Sequence, residues 1–196
     1  LVPARAAGCE SSLFATVDDD VSLHYTLARS GTAVAEPRPA TPETDEPSLL
    51  MHFNHGFGAN CLTWDPLLES FDQRGCRAWL CAHDRTGFGL TSRPRDYRRY
   101  ANGVNTQYAL ELLRGLPLVT GTPEKLVLVG HSLGGSLSTR MAVDASDLAD
   151  RISALVLIAP ALLVRPSAGG RTGWDGTGRG GVGWVGWGGV GWTGLG

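Results

Sequence analysis

The sequence predicts an α/β fold in which a mostly parallel sheet carries helices on both faces and starts with an antiparallel hairpin. Two observations indicate this class. The first 30 residues contain a run with strict apolar and polar alternation, and the chain after residue 47 alternates short apolar runs with segments of helical period. Alternating strands and helices place the strands parallel in one sheet and the helices on its two faces.

The hairpin is predicted from the segment before residue 30. Apolar residues alternate with polar or small ones from Val21 to Ala28, which is typical of a half-buried strand. Asp18-Asp19-Asp20 joins it to a preceding strand near Ser12–Val17. The next segment, Gly31–Pro47, is rich in Pro, Glu and Thr and is expected to form a surface loop.

The remaining elements follow in alternation. The predicted strands are Ser48–Phe53, Arg77–Ala82, Lys125–Val129 and Ile152–Ala159. A first helix is predicted near Pro66–Gln73. A second is marked by the spacing of Val104, Tyr108 and Leu112 and ends before Gly115, and a third is marked by Leu133, Leu137 and Met141. We expect Leu49–Phe53, Arg77–Ala82, Leu126–Val129 and Ala154–Ile158 to lie side by side in one sheet, because βαβ connections place successive strands parallel.

The turn Gly130-His131-Ser132-Leu133-Gly134-Gly135 joins a buried strand to an amphipathic helix. A G-x-S-x-G sequence in that position is typical of a nucleophile elbow, in which the serine adopts unfavourable backbone dihedrals and its hydroxyl projects from the sheet. Gly130 and Gly134 would leave room for that turn, because neither carries a side chain. Ser132 is therefore the candidate nucleophile. The alternative is an ordinary Gly/Ser turn at the start of a helix.

A second motif, Asn54-His55-Gly56-Phe57-Gly58-Ala59-Asn60, follows the strand at 48–53. Acyl transfer needs backbone N–H donors that converge on the oxyanion of the tetrahedral intermediate. One donor comes from the residue after the nucleophile, here Leu133, and the other from the loop after an earlier strand, here Phe57. His55 and Gly56 are expected to support this loop, with the His55 imidazole bonded to nearby backbone and not acting in catalysis.

Three segments resemble the α/β-hydrolase superfamily, in the branch with a single-domain AB hydrolase-1 core: Asn54–Trp64, Asp84–Pro94 and Gly130–Gly135. The middle segment is similar to the family's Asp-x-Pro-Gly-x-Gly-x-Ser loop, with Thr86 and Thr91 in place of the proline and the serine. The likeness runs from about Leu13 to about Leu163. It implies a serine hydrolase of ester-like bonds that acts on a small-molecule ester or a lipid, with no cofactor. Residues 1–168 are then the N-terminal portion of such a domain.

The family pattern stops after Ser132. Its triad partners follow the serine in the order acid and then histidine, but no histidine follows Ser132 in this sequence. Of the later acids, Asp144, Asp147 and Asp150 are expected on the wrong side of the sheet, and Asp175 lies in the tail. The earlier histidines, His24, His52 and His83, are interpreted as structural residues of strands. The sequence therefore predicts a nucleophile and oxyanion donors with no triad acid or histidine.

The segment 169–196 holds about half of the chain's 27 Gly and four of its six Trp. Because ordering a Gly-rich backbone is costly in entropy, we expect this tail to be disordered. Gly, Val and Trp codons can all be written in G and T alone. We interpret the tail as noncoding sequence read as protein, and the chain, which starts at Leu1, as a fragment.

The composition limits the classes of partner that this protein is expected to bind. The chain has 17 Lys+Arg and 19 Asp+Glu, a formal net charge of -2, which favours neither nucleic acid nor an anionic membrane. No apolar stretch is long enough for a transmembrane helix, and no specific protein partner is predicted. The basic cluster Arg93, Arg95, Arg98 and Arg99 is interpreted as a solvated loop. No metal site is expected, since the four cysteines, Cys9, Cys61, Cys76 and Cys81, lack ligand spacing.

Three hypotheses for function remain. The first is a serine hydrolase that acts through Ser132. The second is a noncatalytic, lyase-like or acyltransferase member of the same fold, because a fold does not determine a function. The third is an inert fragment.

Overall fold

The computed structural model describes residues 12–30, 47–116 and 124–162. They form one sheet of six strands: β1 Leu13–Asp18, β2 Val21–Ser30, β3 Leu49–Asn54, β4 Ala78–His83, β5 Lys125–His131 and β6 Ile152–Ile158. The helices are α1 Asp65–Gln73, α2 Asn102–Arg114 and α3 Leu133–Asp144, with 3₁₀ turns at Cys61–Trp64, Tyr97–Tyr100 and Ala149–Arg151. The predicted elements are confirmed, with bounds that differ by a few residues.

The strand order is β1-β2-β4-β3-β5-β6. β1 and β2 form the predicted antiparallel hairpin, and β2 also pairs antiparallel with β4. β4, β3, β5 and β6 are mutually parallel and adjacent, as expected from the sequence. β5 continues past the predicted end at Val129, because Gly130 and His131 still pair with Leu157 and Ile158 of β6.

Helices cover both faces of the sheet, which confirms the predicted class. On one face, Leu50, Leu126 and Leu128 pack in a cluster with residues of α2 and α3, among them Leu112 and Leu137. On the other face, a smaller cluster joins strand residues to Trp64 and α1, and its buried members are Phe53, Cys61, Trp64, Leu68, Ala78, Leu80, Ala82 and Val129. Neighbouring residues of β3, β4 and β5 alternate between the two clusters, as the pleat of a strand requires.

Several predictions concern residues outside those described: the Gly31–Pro47 loop apart from Pro47, the tail at 169–196, and Asp175 within that tail. Among the described residues, no helix combines the length and the apolar character that crossing a membrane requires.

The hairpin is joined to α2 by an ionic network. Asp18 forms an ion pair with Arg99 and accepts a hydrogen bond of 2.7 Å from the Tyr108 hydroxyl. Arg99 also pairs with Asp20 at 3.0 Å. Elsewhere in the basic cluster, Arg98 pairs with Asp96 at 3.0 Å. At least two arginines of the cluster thus have acidic partners within the chain.

The turn between β5 and α3 brings two backbones into direct contact. A Cβ atom on Gly134 would lie 2.0 Å from the Asn54 carbonyl oxygen, and one on Gly130 would lie 2.3 Å from the Gly134 carbonyl oxygen. Both distances are far below van der Waals contact, and the obstructing atoms belong to the backbone. β5 can therefore turn into α3 beside β3 only with glycine at both positions.

We expect Gly134→Ala to lower the free energy of unfolding by roughly 3 kcal/mol, because the added methyl group must push two backbones apart. Urea unfolding followed by circular dichroism measures the change. Gly103→Ala is the matched control. It also lies in a helix, but the nearest atom to its Cβ would be the Arg140 Cζ at 3.5 Å, which is ordinary contact, so alanine should stabilise the chain slightly. Equal effects of the two substitutions would contradict the contact at Gly134.

Two histidines stack inside the sheet face under α2 and α3. His52 of β3 and His83 of β4 are almost fully buried, with ring centroids 4.9 Å apart and planes 7° from parallel. The His52 Nε2 and His83 Nδ1 atoms are 3.1 Å apart, so one ring donates a hydrogen bond to the other. Burial lowers the pKa of His52 to about 3, and burial together with the neighbouring His52 lowers the pKa of His83 well below its usual value. Both rings are therefore neutral in the folded chain.

This pair makes the fold sensitive to acid. His52 is neutral when folded and titrates near 6.5 when unfolded, so the unfolded chain binds more protons below pH 6.5 and stability falls as the pH is lowered from 6.5 towards 3. The loss from His52 alone should reach about 2 kcal/mol at pH 5, measured by urea unfolding at pH 7 and pH 5. His52→Phe should make the pH dependence shallower. Phe53→Leu is the control, because it changes a neighbouring core residue that does not titrate, and it should lower stability equally at both pH values. If His52→Phe also changed stability equally at both pH values, His52 would not be the source of the acid sensitivity.

Candidate active site

Ser132 and the loop after β3 lie at the same edge of the sheet. β3 and β5 are parallel neighbours, with Asn54 opposite Gly130, so the residues that follow them emerge together. A Cβ atom on Gly56 would lie 3.2 Å from the Ser132 Cβ and 3.0 Å from the His131 Nδ1. The absence of a side chain at Gly56 therefore lets the loop pack directly against the serine.

Ser132 has a backbone conformation that residues other than glycine rarely adopt. Its φ is 51° and its ψ is -118°, at the junction between β5 and α3. Such a conformation costs about 1–3 kcal/mol and persists only where the surroundings hold it. Here the Ser132 N–H donates to the Ile158 carbonyl at 3.0 Å, and the Ser132 carbonyl accepts from the N–H groups of Gly135 at 3.0 Å and Ala161 at 2.8 Å. The end of β6 thus holds the strained residue in place.

Two backbone N–H groups in these turns have no acceptor among the described residues. Leu133 is the first residue of α3, and the first N–H groups of a helix have no acceptor within it. The Phe57 N–H, in the loop against Ser132, has no hydrogen-bond acceptor among the residues that the structure describes. The N-terminal end of α3 also carries the positive end of the helix dipole. This arrangement suits a negatively charged oxygen beside Ser132.

His55 links two loops and does not reach towards Ser132 with a free nitrogen. Its Nδ1 donates to the Gly56 carbonyl at 2.7 Å, and its Nε2 accepts a hydrogen bond from the Arg85 backbone N–H at 3.0 Å. Burial is the main cause that lowers the pKa of His55, and the bond accepted by Nε2 needs the neutral ring. The loop after β3 is thereby attached to the loop after β4.

Asp84 organises the loop after β4, a role that the sequence reasoning did not assign to it. Its Oδ2 accepts hydrogen bonds from His24 Nδ1 at 2.7 Å and from the Leu90 N–H at 2.9 Å, and its Oδ1 accepts from the Cys61 N–H at 2.6 Å. Burial opposes ionisation, but the hydrogen bonds from His24 and from the Cys61 and Leu90 backbone outweigh it and hold the pKa of Asp84 well below its usual range. In the sequence, this role is indicated by the place of Asp84 as the first residue of the Asp-x-Thr-Gly motif.

Asp84 also belongs to a group that could ligate a metal ion. Donor atoms of His24, Cys61 and Asp84 lie within 4.8 Å of one another, and all three residues are buried. Linear spacing did not reveal this group, because its members come from β2, the turn before α1 and the loop after β4. Both carboxylate oxygens already accept short hydrogen bonds, so hydrogen bonding accounts for the grouping.

The acidic residues that follow Ser132 in the described chain do not lie beside it. Asp144 is the last residue of α3, and it pairs with Arg140 at 3.0 Å. Asp147 pairs with Arg114 at 2.8 Å, and Asp150 lies in the turn before β6. α3 runs from the Ser132 edge of the sheet towards the opposite edge, so these acids are separated from Ser132 by the length of the helix.

An apolar rim borders the site. The Phe57 side chain is 79% exposed, and its ring packs edge-on against Phe88 with centroids 5.6 Å apart. Leu90, in the same loop as Phe88, is 59% exposed. Phe57 follows Gly56, which packs against Ser132, so its exposed ring is suited to contact with an apolar substrate or a covering segment.

Part of this sequence is similar to known proteins. The chain is 30% identical over 120 residues to a human (lyso)-N-acylphosphatidylethanolamine lipase, covering 61% of this chain and 32% of the lipase. It is 33% identical over 116 residues to epoxide hydrolase 3 of Xenopus tropicalis, covering 59% of this chain and 29% of that protein. This chain thus spans about a third of the length of these relatives.

Solved structures show the same fold at lower identity. A thioesterase domain from the curacin biosynthetic pathway superposes with a TM-score of 0.59 and 21% identity, covering 82% of this chain and 49% of the domain. An epoxide hydrolase from Vigna radiata has a TM-score of 0.59 and 16% identity, covering 83% of this chain and 41% of that enzyme.

The model of the α/β hydrolase fold family matches residues 50–180, more than half of the 196 residues. The matched segment contains the loop after β3, the Asp84 loop and the turn at Ser132. This chain belongs to the α/β hydrolase fold family.

Proposed function

We propose that this protein is a serine hydrolase of ester-like bonds with Ser132 as its nucleophile. The observation that carries the proposal is the positive φ of 51° at Ser132, in a strand-to-helix turn that Gly130 and Gly134 make sterically feasible. Backbone strain of this kind is maintained at functional sites where it has a use. Here it would direct the hydroxyl away from the sheet and towards substrate.

In the proposed reaction, the Ser132 Oγ attacks the carbonyl carbon of an ester. The carbonyl oxygen becomes an oxyanion that accepts hydrogen bonds from the Phe57 and Leu133 N–H groups. The tetrahedral intermediate collapses with loss of the alcohol, which leaves an acyl group on Ser132, and water then releases the acid. His55 and Gly56 support the donor loop, since His55 bonds to the Gly56 carbonyl and Gly56 packs against Ser132.

The nature of the substrate is inferred from the rim and from the relatives. The Phe57 and Phe88 rings pack together, and Leu90 of the Phe88 loop is exposed; apolar side chains of this kind suit an acyl chain better than a charged group. Relatives with the names (lyso)-N-acylphosphatidylethanolamine lipase and monoglyceride lipase support a lipid or ester substrate. A serine beside two N–H donors favours an acyl substrate, because the donors stabilise the oxyanion formed from a carbonyl group.

The proton of Ser132 requires a base, and the 196 residues contain no histidine after Ser132. The hydrolase activity is therefore proposed for a protein in which an acid and a histidine reach this site. A noncatalytic, lyase-like or acyltransferase role on the same fold is the second candidate, and it is favoured by the fact that none of the residues after Ser132 in this sequence is a histidine. An inert fragment is the third.

We expect the 196-residue chain on its own to hydrolyse p-nitrophenyl butyrate at a negligible rate. Loss of the triad histidine costs on the order of 10⁶ in kcat, because an unassisted serine hydroxyl is a poor nucleophile. Any residual rate should change little in Ser132→Ala, measured by release of p-nitrophenol. A saturable rate that depends on Ser132 would show that another group of this chain acts as the base.

A fluorophosphonate probe separates the three candidates. Where an acid and a histidine complete the site, we expect label on Ser132, located by mass spectrometry of the labelled peptide. Ser132→Ala should abolish the label. Ser136→Ala, which removes a partly buried serine one turn further along α3, should retain it. A completed site that takes up no label would favour a noncatalytic or lyase-like role, and a chain without cooperative unfolding would favour the inert fragment.

A further inference from the structure

Exposed apolar side chains are concentrated in two loops at the carboxyl edge of the parallel strands. Phe57 and Leu62 follow β3 and are 79% and 45% exposed, while Leu90 and Tyr97 follow β4 and are 59% and 80% exposed. Of the eight large apolar side chains that are exposed in the described part of the chain, these four and Tyr100 belong to the two loops. A concentration of exposed apolar side chains marks a surface that contacts another molecule.

Hydrogen bonds and a ring contact hold the two loops together. The Asp84 carboxylate accepts hydrogen bonds from the Cys61 N–H at 2.6 Å and from the Leu90 N–H at 2.9 Å, so it joins the 3₁₀ turn before α1 to the loop after β4. The Phe57 ring packs edge-on against the Phe88 ring, with centroids 5.6 Å apart. The exposed residues of both loops therefore lie in one region of the surface.

The loop after β4 also carries exposed positive charge. Arg93 and Arg95 are exposed, and neither forms an ion pair with an acidic residue in the described part of the chain. Arg93 lies against the segment before Leu90, because its Nη2 donates to the Gly89 carbonyl at 3.0 Å. Asp96 is the only acidic residue of this loop, and the loop after β3 contains none before α1. This region is thus positively charged, although the whole chain has a formal net charge of -2.

We propose that this region docks on an anionic lipid membrane through the exposed side chains of Phe57, Leu62, Leu90, Arg93, Arg95 and Tyr97. The apolar side chains enter the boundary between headgroups and acyl chains, and the tyrosine lies at the level of the headgroups. The arginines bind the negatively charged headgroups. A substrate or a protein segment would also cover the apolar side chains, but neither requires the two arginines beside them. Docking does not depend on the chemistry proposed for Ser132, although it brings that edge of the sheet to the membrane.

Vesicle sedimentation of the full 196-residue chain tests the proposal. The probes are vesicles of phosphatidylcholine alone and vesicles of phosphatidylcholine with an equal amount of phosphatidylglycerol. We expect partitioning onto the anionic vesicles to be stronger by about tenfold or more, because each of the two arginines adds about fivefold. Partitioning should fall as sodium chloride is added, because salt screens the attraction. Ser132→Ala should bind like the unchanged chain, so a failure of docking is distinguished from a failure of the proposed hydrolase chemistry.

Substitutions within the region should weaken binding to the anionic vesicles. Leu90→Ser removes an inserted apolar side chain and should lower partitioning about tenfold. Arg95→Gln removes one positive charge and should lower it about fivefold. Val143→Ser and Arg140→Gln are the matched controls, because both change exposed residues of α3, where Val143 is 77% exposed. Each control should change partitioning by less than about twofold, because charges away from the membrane contact are screened.

Absence of binding to the anionic vesicles overturns the proposal, and the apolar side chains then face a substrate or a protein segment. Equal binding to both kinds of vesicle also overturns it, because the arginines then have no role. Full binding by Leu90→Ser and Arg95→Gln has the same consequence. So does an equal loss in the two controls, which is the behaviour of an unfolded chain that adheres without a defined surface. All four substitutions change exposed side chains, so the variants should fold like the unchanged chain, which circular dichroism checks.

Discussion

The close approach of two backbones, the β5–α3 turn and the end of β3, is the constraint on which the rest of the structure depends. The Gly134 Cα lies so near the Asn54 carbonyl that a Cβ atom would be 2.0 Å from the oxygen. This contact places α3 directly over β3, where the Asn54 amide donates to the Ser138 hydroxyl at 2.7 Å. It also leaves Ser132 with a positive φ, held by backbone bonds to Ile158 and Ala161. The geometry around the serine is therefore a consequence of how the sheet and helix pack.

Buried polar residues join the loops at this edge of the sheet. His55 connects the loop after β3 to the backbone of Arg85, and Asp84 connects the loop after β4 to Cys61 and to His24 of β2. In a low-dielectric interior such bonds are strong when satisfied and costly when broken. The histidines in this network serve as neutral hydrogen-bonding groups, so the positions of the donors near Ser132 depend on residues that take no part in the proposed reaction.

The sheet face under α2 and α3 has an apolar end and a polar end. The large cluster under α2 and α3 is apolar near the amino edge of the sheet, while His52, His83 and Asn54 form a polar layer near the carboxyl edge. Polar layers of this kind resist acid poorly, because protonation of either histidine would bury a charge. The positive charge of Arg85 contributes to the lowered pKa values of His55 and His83. Stability and site chemistry are thus coupled at one end of the sheet.

Much of the fold could be predicted from the sequence because its signals are local. Alternation from Val21 to Ala28 determined the hairpin strand, and the apolar run before Gly130 determined β5, since each pattern reflects the period of its own element. The G-x-S-x-G spacing likewise predicted a serine at a strand-to-helix turn, because the steric demand for small residues acts within five positions.

What only the tertiary structure decided concerns residues far apart in the chain. His24, Cys61 and Asp84 converge because β2 and β4 are neighbours, and no linear spacing reports that pairing. The stack of His52 on His83 and the burial of Arg85 have the same origin. The sequence by itself determined the elements and the turn at Ser132, because backbone sterics and hydrophobic period are local. The tertiary structure decided which polar groups share a buried environment, because desolvation and hydrogen bonding depend on neighbours that only the packed sheet brings together.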